Sequence, residues 1–409
     1  MNRKAILLSW RESILGLCFF LILVLSATPA YSGDPEWEGL SGDVTKGQRL
    51  FVQKGCMKCH TLWEEKGELG PDLTRIGQNK TLLQLAGLLW SHSPKMTELM
   101  RQKGIQRPEF TSEEMNDLIS FLYSLNYFSD PGDPIEGGIQ FSKKGCIICH
   151  TVSGKGGRIG PPLDKYSQYM SPILMAQAMW NHGPAMTKKM EEQGVKRPYF
   201  EGAEMTDLLA YIRSMSGGEK EERIYTPLGD PRAGEKLFVE KSCTLCHAVP
   251  GKGEKIGPDL GTVKLNKSIT EIAGLLWNHG PKMWAKMEEQ GIQAPQFREN
   301  EMSDLLAYLY FLHYMDPPGD PEAGKTVFQE KKCISCHTVR GEAKGIGPDL
   351  TRLERITSTV DIATTMWNHA PVMEKFMEVG KQEWPRFEEN EMRDLVEYLR
   401  SIQATRQEK

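Results

Sequence analysis

Apolar residues along this chain recur three and four apart and almost never alternate one by one, the spacing of helices packed on one side rather than of strands. Leu305, Leu306, Tyr308, Leu309 and Leu312 form one such stripe. It closes a unit that the chain writes four times. Each copy ends on Glu-Met-x-Asp-Leu with an aromatic four residues after the aspartate: Phe121, Tyr211, Tyr308 and Tyr398. Each opens on Gly-Asp, at Gly42-Asp43, Gly132-Asp133, Gly229-Asp230 and Gly319-Asp320. Proline follows in the last three, a favourable N-cap and first turn. A short helix is predicted there, with Gly47/Phe51, Gly137/Phe141, Gly234/Phe238 and Gly324/Phe328 four apart on one face. A second helical stretch carries Trp-(Asn/Ser)-His-x-Pro-x-Met. The predicted fold is all-α, four tandem domains of about three main helices each.

The repeats divide the chain into domains at 33–129, 130–216, 227–316 and 317–409. Seven extra residues separate the second and third copies, where Ser216-Gly217-Gly218 and the charged run Glu219 to Arg223 read as a linker over 217–226. That gap suggests two pairs of repeats rather than an even string of four. Residues 1–32 read as a secretory signal peptide: Arg3 and Lys4, then the apolar run Ile14 to Leu25, then small residues at Ala27, Ala30 and Ser32. The run is shorter than the roughly 20 residues that a bilayer-spanning helix needs. The expectation is therefore a protein exported to the periplasm or beyond, with no transmembrane segment in the mature chain.

Composition narrows the classes further. The chain is 39% hydrophobic and 25% charged with a formal net charge of -4, so no basic field points to nucleic acid. Loss of the leader makes it two charges more acidic, because Arg3, Lys4 and Arg11 outnumber Glu12 by two. A mildly acidic carrier suits partners with basic docking patches.

There are nine cysteines. Cys18 leaves with the leader, and the other eight stand in four identical frames: Cys56-x-x-Cys59-His60, Cys146-x-x-Cys149-His150, Cys243-x-x-Cys246-His247 and Cys333-x-x-Cys336-His337. Export ordinarily favours disulfides, yet no cysteine is left over for one. The pentapeptide is the attachment signature of c-type haem, two thiols for the vinyl groups and an adjacent histidine for the iron. A single copy would also fit chance or part of a zinc site. Four copies spaced 90, 97 and 90 residues apart make four haem c groups the reading, with His60, His150, His247 and His337 as proximal ligands.

With these frames, the Gly-Pro turns that follow them and the Asp-Leu-x-x-aromatic helix ends, the chain resembles tandem class I cytochrome c domains over nearly everything after the leader. The resemblance implies that the glycine face of the first helix crosses the aromatic of the last. It further implies that Pro71, Pro161, Pro258 and Pro348 position the proximal histidine through a backbone carbonyl.

The sixth ligand is open between two residue types. Each middle helix offers a stripe four residues apart: His92/Met96/Met100, His182/Met186/Met190, His279/Met283/Met287 and His369/Met373/Met377. Asn278-His-Gly-Pro-Lys-Met283 resembles the family's loop that ends in the ligand methionine. On that resemblance Met96, Met186, Met283 and Met373 are the expected distal ligands. The alternative is His92, His182, His279 and His369, and methionine ligation would give the higher potential. Methionine also commonly fills cores. Trp90, Trp180, Trp277 and Trp367 are expected to pack against haem or core.

The functional expectation is an electron carrier without a catalytic centre, since haem catalysis needs an open iron position and distal acid–base groups. Its redox partners would be a membrane oxidase or quinol enzyme and other cytochromes. The alternative is a haem enzyme, or the electron-input subunit of one, of peroxidase or nitrite-reductase type.

Overall fold

The computed structural model describes residues 42–407 outside short interior stretches at 63–68, 75–79, 126, 128–131, 166–170, 217–228, 264–266, 342–344 and 353–357. The expected leader (1–32) and linker (217–226) lie outside the described residues. The first repeat contains α1 (Val44–Gln53), α2 (Leu82–Gln102) and α3 (Ser112–Ser124). The second contains α4 (Pro134–Lys143), the short α5 (Cys146–Cys149), α6 (Pro172–Glu192) and α7 (Glu204–Ser214). The third is α8 (Pro231–Glu240), α9 (Ile269–Glu289) and α10 (Glu301–Phe311), and the fourth α11 (Pro321–Glu330), α12 (Thr359–Val379) and α13 (Glu391–Gln407). Regular strands among the described residues amount to one two-residue hairpin, Thr151–Val152 against Lys155–Gly156. The all-α prediction holds.

The first and last helices of each repeat are joined at their termini. Asp43, Asp133, Asp230 and Asp320 cap the first helices with their side chains. Their own amides donate to Asp117, Asp207, Asp304 and Asp394 of the last helices at 2.7, 2.8, 2.8 and 3.0 Å. That is why Glu-Met-x-Asp-Leu recurs with its aspartate fixed. A β-carbon on Gly47 would fall 2.0 Å from the carbonyl oxygen of Asp117, and the other three crossing glycines are as tight. One turn on, Phe51 meets Phe121, and Phe141, Phe238 and Phe328 meet Tyr211, Tyr308 and Tyr398, with ring centres 5.5 to 5.7 Å apart. Lys54–Glu114, Lys144–Glu204, Lys241–Glu301 and Lys331–Glu391 bridge the same helices at the rim.

The middle helices do something the repeat pattern did not announce: they pair repeats that are not all neighbours in sequence. α2 packs on α12, and α6 on α9. The linker therefore separates members of one pair, repeats two and three, while the first and last repeats form the other. The bonds are reciprocal. The indole Nε1 of Trp90 donates to the Pro385 carbonyl and that of Trp367 to the Pro108 carbonyl; Trp180 and Trp277 do the same to Pro295 and Pro198, all at 2.7 to 2.9 Å. Each middle helix also contains a proline (Pro94, Pro184, Pro281, Pro371) that has no N–H to give the tryptophan carbonyl one turn back. Donors from the partner repeat take up three of these carbonyls: Trp384 Nε1 at Trp90 O (3.0 Å), Arg197 at Trp277 O (3.0 Å) and Arg107 at Trp367 O (3.1 Å).

A buried tyrosine cluster joins the two pairs. The Tyr310 hydroxyl donates to the Tyr123 carbonyl at 2.9 Å, Tyr314 bonds Tyr310, and Tyr127 meets Tyr310 edge-on. Beside it Asp316 of the third repeat caps the start of α2, accepting from Thr81 and, at 2.9 Å, from the Leu83 amide. Burial pushes the Asp316 carboxyl up to about 6 against the pull of those two donors.

Candidate haem sites

Each frame is built by the same local backbone. The residue before the first cysteine takes a left-handed conformation (Gly55, Gly145, Ser242, Lys332), and the chain then closes one tight turn. The histidine amide donates back to the first cysteine's carbonyl at 2.9 Å in all four copies. All eight cysteines are unbridged thiols. Burial pushes the thiols of Cys56, Cys146, Cys243 and Cys333 each up to about 11.

The proximal histidines are aimed by the loop that follows. His60 Nδ1 lies 3.1 Å from the Pro71 carbonyl, and His150, His247 and His337 lie 3.0, 3.0 and 3.2 Å from those of Pro161, Pro258 and Pro348. A carbonyl only accepts, so Nδ1 carries the proton and Nε2 presents a lone pair. The glycine before each proline has a part that the sequence did not disclose. A β-carbon on Gly70 would fall 2.7 Å from His60 Nδ1, and on Gly160 only 2.4 Å from His150 Cε1. The backbone is pressed flat against the imidazole, and only glycine allows it.

In the first repeat these groups open onto an apolar cavity of about 350 Å³, within the range of cofactor pockets. Cys56, Cys59 and His60 line it together with His92, Met96 and Met100 from α2 and Trp367 of the last repeat. Trp277 sits in the second repeat's core with Phe141 and Met175, and Trp90 packs with Ile362 and Met392 of the fourth. The tryptophans thus pack against cofactor cavity and core, as expected, but those of the partner repeat. Two unbridged thiols, a tautomer-fixed imidazole and an apolar slot form a donor set that suits a covalently held porphyrin.

The distal candidates stand at equivalent helix positions. His92, His182, His279 and His369 are each the eleventh residue of a 21-residue helix. His92 and His279 hold Nδ1 against the carbonyls one turn back, Leu88 at 2.8 Å and Leu275 at 2.9 Å. His369 faces His337, their ring centres 6.4 Å apart and their planes at 57°. Burial, with His369 opposite, lowers the basicity of His337 and favours the neutral ring despite its bond to Pro348. Met186 and Met190 pack against the second repeat's core, and Met373 against the cluster around Trp90.

Helical units with paired thiols and a backbone-aimed histidine define a covalent haem carrier. The family model for cytochrome c matches four times, at residues 44–126, 135–216, 231–312 and 321–403, and the chain belongs to that family. It is 29% identical over 125 residues to a nitric oxide reductase subunit of Halomonas halodenitrificans, covering 27% of this chain and 82% of that one. It is 32% identical over 105 residues to cytochrome c of Ginkgo biloba and 33% identical over 105 to that of Guizotia abyssinica. Those two alignments cover 20% of this chain and 88% and 90% of theirs. No solved structure gives a significant match. The chain is a tetrahaem c-type cytochrome with a haem electron-transfer function.

Proposed function

We propose that this chain is an exported electron carrier that shuttles electrons between a membrane oxidase or quinol enzyme and other cytochromes in the periplasm or at the cell surface. Cys56/Cys59, Cys146/Cys149, Cys243/Cys246 and Cys333/Cys336 hold the haems by thioether bonds. His60, His150, His247 and His337 ligate the irons through Nε2. The domain limits 33–129, 130–216, 227–316 and 317–409 follow from the same frames. Bound there, the group supplies reversible one-electron iron chemistry; the protein fixes position, ligation and dryness.

The supporting observation is Trp367, a residue of the last repeat, in the wall of the first repeat's cavity. Its helix carries His369 two residues on, and His369 faces the fourth repeat's own proximal histidine. One short segment therefore borders two haem sites, an arrangement that favours exchange within the pair one–four. Among the described residues no helix is long and apolar enough to cross a membrane. A reductive titration of the mature protein should take up four electrons per chain, with no turnover of peroxide or nitrite. Saturable turnover of either would overturn the carrier reading. Recovery in the periplasmic fraction with a new N-terminus near residue 33 tests the export.

The likeness to a nitric oxide reductase subunit favours a second reading, electron input to a reductase of that kind. Stoichiometric co-purification with such an enzyme would select it.

A further inference from the structure

The expectation drawn from the family pattern places methionine on the distal side of each iron. The ring geometry of the fourth repeat supports a different residue. With metal–imidazole bonds of about 2 Å and about 1.1 Å from each ring centre to its nitrogen, two imidazoles on opposite faces of one iron stand roughly 6.2 Å apart, centre to centre. His337 and His369 stand 6.4 Å apart. We infer that the distal ligands are His92, His182, His279 and His369, which makes all four haems bis-histidine.

Three further observations carry the assignment beyond the fourth repeat. The histidines occupy one position of one helix type, two residues before the helix proline. His60 and His92 line the same cavity. Nδ1 of His92 and of His279 is spent on a helix carbonyl, which fixes the tautomer that leaves Nε2 free to ligate, as the proline carbonyls do on the proximal side. Two of the four methionines have other employment, while Met96 lines the same cavity as His92. A step of four residues moves about 6 Å along a helix, so one iron cannot lie axially opposite both His369 and Met373. Met373 and Met186 pack into apolar clusters, the commoner use of this side chain.

The inference rests on haem being carried at these frames, and the test separates the two. Intact mass of the purified mature protein reports haem content independently of ligation. The ferric protein is then examined for the weak far-red band of methionine sulfur on iron and for the near-infrared magnetic circular dichroism of bis-histidine haem. The wild type should lack the first and show the second for all four haems, and Met373→Leu should change neither. His369→Met should convert one quarter of the bis-histidine signal and raise one of the four potentials. A far-red band in the wild type that falls by a quarter in Met373→Leu, with four haems present by mass, overturns the histidine assignment alone. Because Met373→Leu disturbs nothing that the histidine reading needs, it decides the matter even if His369→Met fails to mature.

Discussion

The two pairs share a frame and differ where their middle helices cross. In the one–four pair the crossing is polar: Ser93 donates to Glu374 at 2.9 Å and Thr97 to the same carboxylate at 3.3 Å. In the two–three pair the equivalent positions are Gly183, Thr187, Gly280 and Trp284, and the indole of Trp284 lies directly on Gly183. A β-carbon on Gly183 would fall 2.2 Å from that ring. Arginine precedes the proline in the first two repeats only; the third has Ala294 and the fourth Trp384. Each pair therefore joins one arginine repeat to one without. Arg107 lies 3.9 Å from the Trp367 ring centre and Arg197 3.5 Å from that of Trp277. Trp384 stacks on Trp90 at 4.3 Å and spends its N–H on Trp90's carbonyl. Trp284 meets Trp180 edge-on at 5.6 Å and buries its N–H without a hydrogen-bond partner in the protein. A swapped pair would set Trp284 against the Ser93 side chain or leave Glu374 facing glycine. These few positions sort four similar repeats into two specific couples.

The contrast between the couples breaks most severely at Gly183. Gly183→Leu should cost about 3 kcal/mol by overpacking Trp284, more than the about 1 kcal/mol expected in the other pair for Ser93→Ala, which removes the hydrogen bond to Glu374. Denaturant unfolding of both variants checks the ordering. The contact that joins the couples should show itself through pH. The folded carboxyl of Asp316 titrates at about 6, above its ordinary value, so its stabilising contribution is complete below about pH 4 and is lost as pH rises through 6. Relative to Asp316→Asn, the wild type should lose on the order of 3 kcal/mol between pH 4 and pH 7. A flat difference would show that the carboxyl is not buried at the junction.

Arg107→Ala and Arg197→Ala each remove a donor from a proline-freed carbonyl and a cation from a tryptophan face. About 2 kcal/mol is expected for each, with little change on adding salt. The finest contrast lies between the two tryptophans. Trp384→Phe gives up a hydrogen bond and should cost about 1 kcal/mol. Trp284→Phe gives up an unpartnered N–H and should be neutral or slightly stabilising. Equal losses in the two would erase the distinction between the couples.

Much of this was legible in the chain. The helical spacing and the four frames stand in the structure where the residues predicted them, and the glycine–aromatic crossing and the proline carbonyl on the histidine stand where the family resemblance implied them. These features are local or recur in every copy, so repetition amplifies them. The partnering was not legible, because it lives in the positions where the copies disagree: 93, 183, 280 and 370; 107, 197, 294 and 384. The seven extra residues pointed to two couples, but the linker they form lies inside one couple rather than between two. The helix prolines did hold a clue, since each frees a carbonyl one turn back that must find another donor. The histidine and methionine stripe stayed ambiguous for a related reason. Residues four apart share a face, and only the distance across the cavity separates them.

Electron transfer by this chain depends on each of the four frames holding one haem by thioether bonds. Intact mass spectrometry of the mature protein, made in a host competent for haem attachment, is the decisive measurement. The mass should lie four haems above that of the polypeptide and fall by one haem when both cysteines of any frame become alanine. A colourless protein weighing no more than its amino acids would contradict this.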